Sequence, residues 1–450
     1  MSTIAAISTP YGTGGISVVR VSGPDSINIA QKVFKSHDGF LLKDMQGYTS
    51  KLGYVFYKGN PIDEVIASVF KSPRSYTGED MVQLSCHGGM YITKSVLRSL
   101  LDSGAVMADR GEFTRRAFMN GKISLEKAES VMGLISSRYE MERRINFSSY
   151  NGSLKSKINS IKDMFVDLLA RLNAEIDYSE EDIPEVNDNE IISIVDSAES
   201  QVKSLIDSYS TGYIIQNGVR TAIIGSPNVG KSTLMNLLAH REKSIVTDIA
   251  GTTRDAIEET IILGNIPLIL VDTAGIRESN DIIEQIGAKK SREIADSANL
   301  ILFLIDASRK ISDDELALLN SFDKKRVIIV VNKIDLNPDY DSSFIDNDKI
   351  VYISAKNGEG LQQLSDSIEK FVDFGSCDEN DLIITTERQR DVLVKCLEKV
   401  EIVKSNVGKV TKDILVELLK DPVNVLSEFS GEKVEDEVVD SIFSKFCVGK

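Results

Sequence analysis

The sequence predicts a protein of the α/β and α classes with three structural parts. Residues 1–119 combine short strand-like runs with Gly, Pro and Asn turns, which predicts an α+β domain. Residues 120–218 and 375–450 carry apolar residues at helical spacing, which predicts one helical bundle made from two chain segments. Between them, 219–374 alternates strand-like and helical stretches and predicts an inserted, doubly wound α/β domain.

The N-terminal domain is predicted from three runs, "GGISVVRVSG", "SKLGYVFY" and "DEVIASVF", which have the composition of strands. The inserted domain is predicted from five buried-strand runs: "VRTAIIG", "IPLILVDTAG", "NLILFLIDAS", "RVIIVVNKID" and "IVYISAKNG". The tail after the inserted domain is short for an independent domain, so we expect it to pack with the earlier helices.

The bulk composition restricts the function classes. Charged residues make up 27% and hydrophobic residues 42% of the 450 residues, as in a globular protein, and no apolar run approaches a membrane span. The four cysteines form no CxxC pair, and the start lacks a signal or transit pattern, so we expect a reducing, cytoplasmic location. A net charge of −16 disfavours broad electrostatic binding of nucleic acid.

A phosphate-binding loop is the strongest motif. "GSPNVGKS" (225–232) fits G-x-x-x-x-G-K-[ST] between a predicted strand and a predicted helix. Backbone N–H groups and the helix N-terminus suit phosphate, Lys231 suits the β- and γ-phosphates, and Ser232 suits Mg²⁺.

Three further motifs follow at predicted strand ends and indicate a guanine nucleotide. "DTAG" (272–275) suits the magnesium and γ-phosphate, while Asp335 of "NKID" matches the donors of guanine. "SAK" (354–356) completes the base pocket, and "GTTRD" places Thr252 or Thr253 over Mg²⁺. The expected GTP contacts are Asn228, Val229, Gly230, Lys231, Ser232, Thr233, Thr247, Asp248, Ile249, Ala250, Gly251, Thr252, Thr253, Asp272, Thr273, Ala274, Gly275, Asn332, Lys333, Asp335, Ser354, Ala355 and Lys356.

Hydrolysis needs a water-orienting group that the usual position does not supply, because Ile276 stands after the "DTAG" glycine. Glu284 is the best candidate, although an exposed helix glutamate is usually only solvated. Asn228 could help to hold a monovalent cation in place of an arginine finger, or simply tolerate a tight turn.

Taken with the N-terminal blocks "TPYGTGGISVVRVSG", "SYTGEDMVQLSCHGG" and "RGEFTRRAFMNGKISLEKAE" and the terminal "FCVGK", these motifs resemble the MnmE (TrmE) family of tRNA modification GTPases. The resemblance covers essentially the whole chain. It implies a folate-binding N-terminal domain that forms a homodimer, a two-segment helical domain, and an inserted Ras-like GTPase domain.

The resemblance also implies a potassium-activated GTPase in which Glu284 is catalytic. The potassium ligands would be Asn228, Thr247, Ile249 and Thr252, and the magnesium ligands Ser232 and Thr253. With an FAD-dependent MnmG-type partner, such a protein adds an aminomethyl or carboxymethylaminomethyl group to C5 of the wobble uridine of certain tRNAs. The one-carbon unit would come from 5,10-methylene-tetrahydrofolate, and 5-formyl-tetrahydrofolate is the other folate expected to bind.

Folate contacts are carried over to Arg20, Glu79, Lys122 and Lys450. Taken singly, the first three could equally be a strand-end arginine, a loop carboxylate and a helix-start lysine. Cys447 is a poor lipid-anchor signal and a plausible core thiol, but the resemblance implies a catalytic role in modification and none in GTP hydrolysis.

The sequence departs from the family pattern at two positions. Ser226 stands where a lysine or arginine is common, and Val448 replaces an isoleucine in the terminal motif. Two rival functions are a ribosome-assembly GTPase, which would not explain the N-terminal blocks, and a non-enzymatic GTP switch or scaffold, which Ile276 favours weakly.

Overall fold

A computed structural model describes residues 2–178, 184–241, 259–264, 266–271, 295–341, 349–372, 382–432, 434 and 436–450. These residues form two compact units. The first comprises Met1–Ser136, Asn146–Glu199 and Lys395–Lys450, and the second comprises Ser137–Ile145 and Ser200–Val394.

The N-terminal part of the first unit is a seven-stranded sheet covered on one face by helices. Its strands are β1 (Ile4–Ile7), β2 (Ile16–Ser22), β3 (Phe34–Ser36), β4 (Thr49–Tyr57), β5 (Asn60–Phe70), β6 (Met81–His87) and β7 (Val106–Met107). The order within the described residues is β3-β4-β5-β6-β2-β1-β7. Neighbouring strands are antiparallel except β1 and β7, which are parallel.

Alternation along the strands decides which residues meet the helices α1 (Ser26–Val33) and α2 (Met90–Asp102). Val19 and Val21 of β2 are fully buried in the core with residues of both helices, so Arg20 points to the other face of the sheet. Helix α3 (Glu112–Met119) follows β7, and one 3₁₀ turn spans Leu42–Asp44.

The helical part begins with α4 (Leu125–Ser136), α5 (Glu140–Tyr150), α6 (Ser153–Asp177) and α7 (Asp188–Asn217). Leu154, Ile158, Ile161, Phe165 and Leu168 recur at spacings of three and four along α6 and are all buried, as expected for an amphipathic helix.

The second unit contains a six-stranded sheet of order β13-β12-β11-β8-β10-β9 within the described residues. Its strands are β8 (Val219–Ile224), β9 (Glu259–Leu263), β10 (Ile266–Leu270), β11 (Leu300–Asp306), β12 (Val327–Asn332) and β13 (Ile350–Ile353). All neighbours are parallel except β9 and β10. Its helices include α8 (Lys231–Arg241), α9 (Asp313–Asn320) and α10 (Leu361–Val372), with a 3₁₀ turn at Lys324–Arg326.

The last segment forms α11 (Glu387–Asn406), α12 (Lys412–Phe429) and α13 (Asp436–Ser444). Helix α12 packs along α6 in the first unit, so the two helical segments share one bundle. The predicted fold class is confirmed, and the five predicted strands of the inserted domain are β8, β10, β11, β12 and β13. The antiparallel edge strand β9 was not predicted.

Helix α5 begins with a buried acid. Glu142 is only 4% exposed, and its carboxylate accepts a hydrogen bond from the Arg138 N–H at 2.7 Å. Burial raises the pKa of Glu142 to about 7, because the backbone donor and the Arg138 charge only partly offset the loss of water.

We therefore expect the neutral acid to be the stable form of Glu142 in the fold. The folded protein keeps this proton between the ordinary pKa of about 4.5 and about 7, so this group's contribution to stability falls as pH rises through that window. The Glu142→Gln substitution should raise the free energy of unfolding at pH 8 by about 1–3 kcal/mol and have little effect below pH 4.5. Denaturant unfolding of both proteins at the two pH values measures this, and a less stable variant at pH 8 would contradict it.

Candidate functional sites

The phosphate loop joins the end of β8 to the start of α8. Lys231, the first residue of α8, donates from Nζ to the carbonyl oxygens of Gly225 at 2.6 Å and Ser226 at 2.8 Å. Burial lowers the pKa of Lys231, and a phosphate dianion at this position would raise it again by favouring the charged form. Ser232 and Thr233 are exposed at the same helix start, and Asn228 is exposed with a φ of +63°.

One buried amide ties three segments of the second unit together. Asn332, at the end of β12, donates from Nδ2 to the Val229 carbonyl at 2.8 Å and accepts from the Ala355 N–H at 2.9 Å. Gly230 has a φ of +100°, and a Cβ there would lie 2.2 Å from Asn332 Nδ2. The glycine therefore allows the phosphate loop to approach the strand that carries "NKID".

The residues expected at the base lie on the same edge of the sheet. Asp335 is exposed, and its Oδ1 accepts from the Ser354 hydroxyl at 2.7 Å. Lys333 has a φ of +68°, and its ammonium pairs with Asp306 at 2.6 Å. Burial raises the pKa of Asp306, but Lys333 and the Ser308 donors outweigh that effect and hold it below its ordinary value. Lys356 is exposed beside Ala355.

The structure thus brings together the phosphate loop, "NKID" and "SAK". The other expected nucleotide, potassium and magnesium contacts, together with Glu284, lie outside the described residues: Thr247, Asp248, Ile249, Ala250, Gly251, Thr252, Thr253, Asp272, Thr273, Ala274 and Gly275.

A second site forms in the first unit, where the segment Phe446–Lys450 docks on the N-terminal sheet. Val448 forms an antiparallel bridge with Arg110 and packs in an apolar cluster with β1. The Gly449 carbonyl accepts from the Ser8 hydroxyl at 3.0 Å. Gly449 has a φ of +92°, and a Cβ there would lie 2.2 Å from the Ile7 carbonyl oxygen, so only glycine fits without rearrangement.

Arg20 lies beside this docked segment. Its Nη1 is 3.5 Å from the Gly449 carbonyl oxygen, and its guanidinium lies 5.6 Å from the ring centroids of both Tyr76 and Phe113. With its amide oxygen turned toward Arg20, Gln83 accepts from Nε at 3.1 Å and Nη2 at 3.0 Å. Burial lowers the pKa of Arg20, and burial together with the nearby Arg20 charge lowers the pKa of Lys450.

Glu79 precedes strand β6 and is held against Ser22, which lies two residues beyond Arg20 on β2. Its carboxylate accepts from the Ser22 hydroxyl at 2.9 Å and from Arg116 Nη1 at 3.2 Å. Arg116 is 6% exposed and also donates to Glu112 and to the Ser2 carbonyl. Glu79 therefore has a fixed orientation with part of its side chain still accessible, at 14% exposure.

Lys122 reaches the loop that carries Glu79. Its ammonium donates to the Pro73 carbonyl at 3.0 Å, and a Cβ at Gly78 would lie 3.1 Å from its Cγ. Arg20 and Glu79 thus lie on or beside one strand, Lys450 lies next to Arg20, and Lys122 borders the Glu79 loop. Cys447 is exposed in the docked segment, and its carbonyl accepts from the Gly111 N–H at 3.3 Å.

Sequence reasoning did not identify the residues that support this second site. Arg116 stands inside the block "RGEFTRRAF", but only the fold shows which of its arginines meets Glu79. Gln83 and Tyr76 carry no motif signal of their own. Their roles depend on strand register, since Gln83 of β6 lies directly opposite Arg20 of β2.

The first of these sites defines the class of the protein. A phosphate loop between a parallel strand and a helix, with an aspartate and a Ser-Ala-Lys turn at the neighbouring strand ends, defines a P-loop GTP-binding protein.

Family comparisons identify the particular branch. The chain matches the model for the MnmE helical domain over residues 125–447 and the model for the GTP-binding protein TrmE N-terminus over residues 3–122. It is 38% identical over 454 residues to the tRNA modification GTPase MnmE of Clostridioides difficile (strain 630), covering 100% of this chain and 99% of that one. It is 39% identical over 455 residues to that of Lactobacillus johnsonii, covering 100% and 98%. The chain belongs to the MnmE family of tRNA modification GTPases.

Among solved structures, the G domain of the T. maritima FeoB iron transporter is similar. It is 26% identical, with a TM-score of 0.25, and the match covers 34% of this chain and 98% of that one. Within the described residues, no helix has the length and apolarity needed to span a membrane.

Asp335 is expected to determine the preference of the protein for guanine. The Asp335→Asn substitution should weaken GTP binding by at least about tenfold, because the carboxylate expected to accept two hydrogen bonds from guanine is replaced by an amide that also donates. The same variant should gain affinity for xanthosine triphosphate, whose C2 oxygen accepts from the new amide. Titration with both nucleotides measures this, and an unchanged preference for GTP would contradict the assignment.

Proposed function

We propose that this protein is a potassium-activated GTPase that modifies C5 of the wobble uridine in certain tRNAs together with an FAD-dependent, MnmG-type partner. The group added is aminomethyl or carboxymethylaminomethyl, and a tetrahydrofolate supplies the one-carbon unit. The observation that supports the folate part most strongly is the docking of Phe446–Lys450 beside Arg20.

GTP is proposed to bind at the phosphate loop and the neighbouring strand ends. When GTP binds, Lys231 would exchange its carbonyl acceptors for β- and γ-phosphate oxygens, and the Ser232 hydroxyl would be available to hold Mg²⁺. Asn332 holds the loop against "NKID", so phosphate binding and base binding use one preorganised frame. Asp335 accepts from the guanine N1–H and exocyclic amine, and Ser354 fixes the carboxylate.

Potassium is proposed at the outer side of the same loop. Asn228 is exposed there and can offer its amide oxygen. Thr247, Ile249 and Thr252 would supply the remaining ligands, and Thr253 would join Ser232 on Mg²⁺. Glu284 would orient the attacking water, in place of the glutamine that Ile276 replaces.

The residues of the second site fit a reduced folate by charge. Within the described chain, no carboxylate side chain forms an ion pair with Arg20 or Lys450, and the Arg20 charge adds to burial in lowering the pKa of Lys450. An anionic ligand between them relieves that repulsion. Glu79, fixed by Arg116 and Ser22, can accept from the amino group and N3–H of a pterin. Bound there, the folate would provide the one-carbon unit.

Cys447 is proposed as the residue that acts in modification. Cys447 is exposed, while its own carbonyl accepts from the Gly111 N–H and the next residue, Val448, pairs with Arg110. The position of the Cys447 side chain is therefore fixed within the segment that also carries Lys450.

The chain is proposed to contain three domains and to form a homodimer. We propose a folate-binding and dimerisation domain at 1–119, a helical domain from 120–218 and 375–450, and a GTPase domain at 219–374, in a cytoplasmic homodimer. The sheet face opposite α1 and α2 supports dimerisation, because Leu52 and Ile66 are paired across two strands and remain 48% and 47% exposed.

Potassium activation is tested by the cation dependence of GTP hydrolysis. The rate should be at least about tenfold higher in KCl than in NaCl at equal ionic strength, because a correctly sized cation takes the electrostatic role of an arginine finger. The Glu284→Ala variant serves as the matched control: it should bind GTP normally and hydrolyse it slowly in both salts. Equal wild-type rates in the two salts would exclude the potassium mechanism.

The tRNA role is tested by complementation. Cells lacking this protein should lose the C5 substituent of wobble uridine, and wild-type protein should restore it, whereas Cys447→Ser should not. GTP hydrolysis by the purified variant should continue, because Cys447 lies in the first unit and the phosphate loop in the second. Nucleoside analysis of bulk tRNA is the measurement, and an unchanged profile without the protein would refute the proposed function.

A further inference from the structure

The first unit contains a cavity of about 670 Å³ that shares only Lys122 with the proposed folate contacts. Three chain segments surround it: the turn after α3, the start of α6, and the stretch before α13. Lys122, Lys127 and Lys155 all line it, so we name it the lysine cavity. Its volume is in the range of small-molecule sites.

The positive charge in the lysine cavity is only partly offset by carboxylates. Lys127 and Lys155 are half-buried, and within the described residues neither forms an ion pair, although Lys155 lies near enough to Glu126 and Glu432 to favour their charged forms. The Lys127 ammonium lies 4.3 Å from the centroid of the Tyr150 ring, which keeps it inside the cavity rather than extended into solvent. Such a cluster is unusual in a chain of net charge −16, where acidic partners are plentiful.

The two acidic side chains of the wall do not neutralise these lysines fully. Glu432 forms its ion pair with Lys162 at 3.0 Å and feels the Lys155 charge only as a smaller additional effect. Asp436 lies in the first turn of α13, where a carboxylate is stabilised by the helix dipole.

The start of α6 adds further anion-binding capacity. Gly152 is the N-cap of this 25-residue helix, and no side chain caps its first N–H groups. These donors and the positive end of the helix dipole belong to the same wall as Lys155.

Lys122 connects the lysine cavity with the proposed folate site. Its stem lies against Gly78, the neighbour of Glu79, while the residue itself lines the cavity. Helix α3 makes the same connection. Arg116 of this helix holds Glu79, and Met119, at the end of the helix, lines the lysine cavity.

We propose that the lysine cavity binds the γ-linked polyglutamate tail of a reduced folate, an inference that rests on the folate site proposed above. Each glutamate added to the tail brings one carboxylate, and Lys127, Lys155 and the α6 N-terminus are the groups that receive them. A concave site of this size suits a short flexible polyanion better than an RNA strand.

The experiment compares 5-formyl-tetrahydrofolate carrying one glutamate with the same folate carrying three, titrated by calorimetry into the full-length protein. The triglutamate should bind at least about fivefold more tightly, because its two added carboxylates would lie near the half-buried Lys127 and Lys155. This advantage should shrink when salt is raised from about 50 to about 500 mM, since the charges are partly exposed.

Substitutions of the cavity lysines test whether the preference for the triglutamate folate arises in the lysine cavity. The double variant Lys127→Ala, Lys155→Ala should bind the two folates equally, and the Arg replacements at both positions should keep the preference for triglutamate. Lys94→Ala, which removes an exposed lysine from α2, is the matched control and should behave as wild type.

Equal affinities of wild-type protein for the two folates would overturn the inference and leave the folate site intact. Absence of binding by both folates would overturn the folate proposal and this inference with it. Loss of tRNA binding in the double variant, with the preference for triglutamate unchanged, would assign the cavity to RNA instead.

Discussion

The second site depends on one backbone contact, the close approach of Gly449 to strand β1. A side chain at this position would collide with the Ile7 carbonyl oxygen, and the positive φ would strain any other residue. Because glycine permits the approach, Val448 enters the apolar cluster beside β1, and Lys450 arrives next to Arg20. The exposed thiol of Cys447 is then presented between two anchored neighbours. Without this contact, Arg20 would lose the Gly449 carbonyl as a partner, and Lys450 would not be placed next to it.

A comparable constraint organises the nucleotide site. Asn332 is buried and uses both ends of its amide, one on the phosphate loop and one on the "SAK" turn. A buried amide that loses a partner costs about 1–3 kcal/mol, so the three segments keep their spacing. The parallel strands contribute the rest, because their carboxyl ends meet at one edge of the sheet and bring distant motifs together.

The proposed folate site and the lysine cavity differ from the rest of the chain in the sign of their charge. The protein carries a net charge of −16, yet Arg20 with Lys450 and the three lysines of the lysine cavity concentrate positive charge in one unit. Local cationic clusters of this kind attract anions even when the whole molecule repels them. Recognition of anionic ligands in this protein is therefore a property of the fold and cannot be read from the composition.

The sequence by itself determined the phosphate loop, the strand–helix alternation of the inserted domain and the family, because each is recorded in residues close together in the chain. Only the tertiary structure decided that Arg116 holds Glu79 across 37 positions and that Ser8 meets Gly449 across 441. The alternation of apolar residues along a strand indicates which face is buried, but it does not indicate which residue of the neighbouring strand lies opposite. The edge strand β9 and the pairing of Gln83 with Arg20 were beyond sequence reasoning for the same reason.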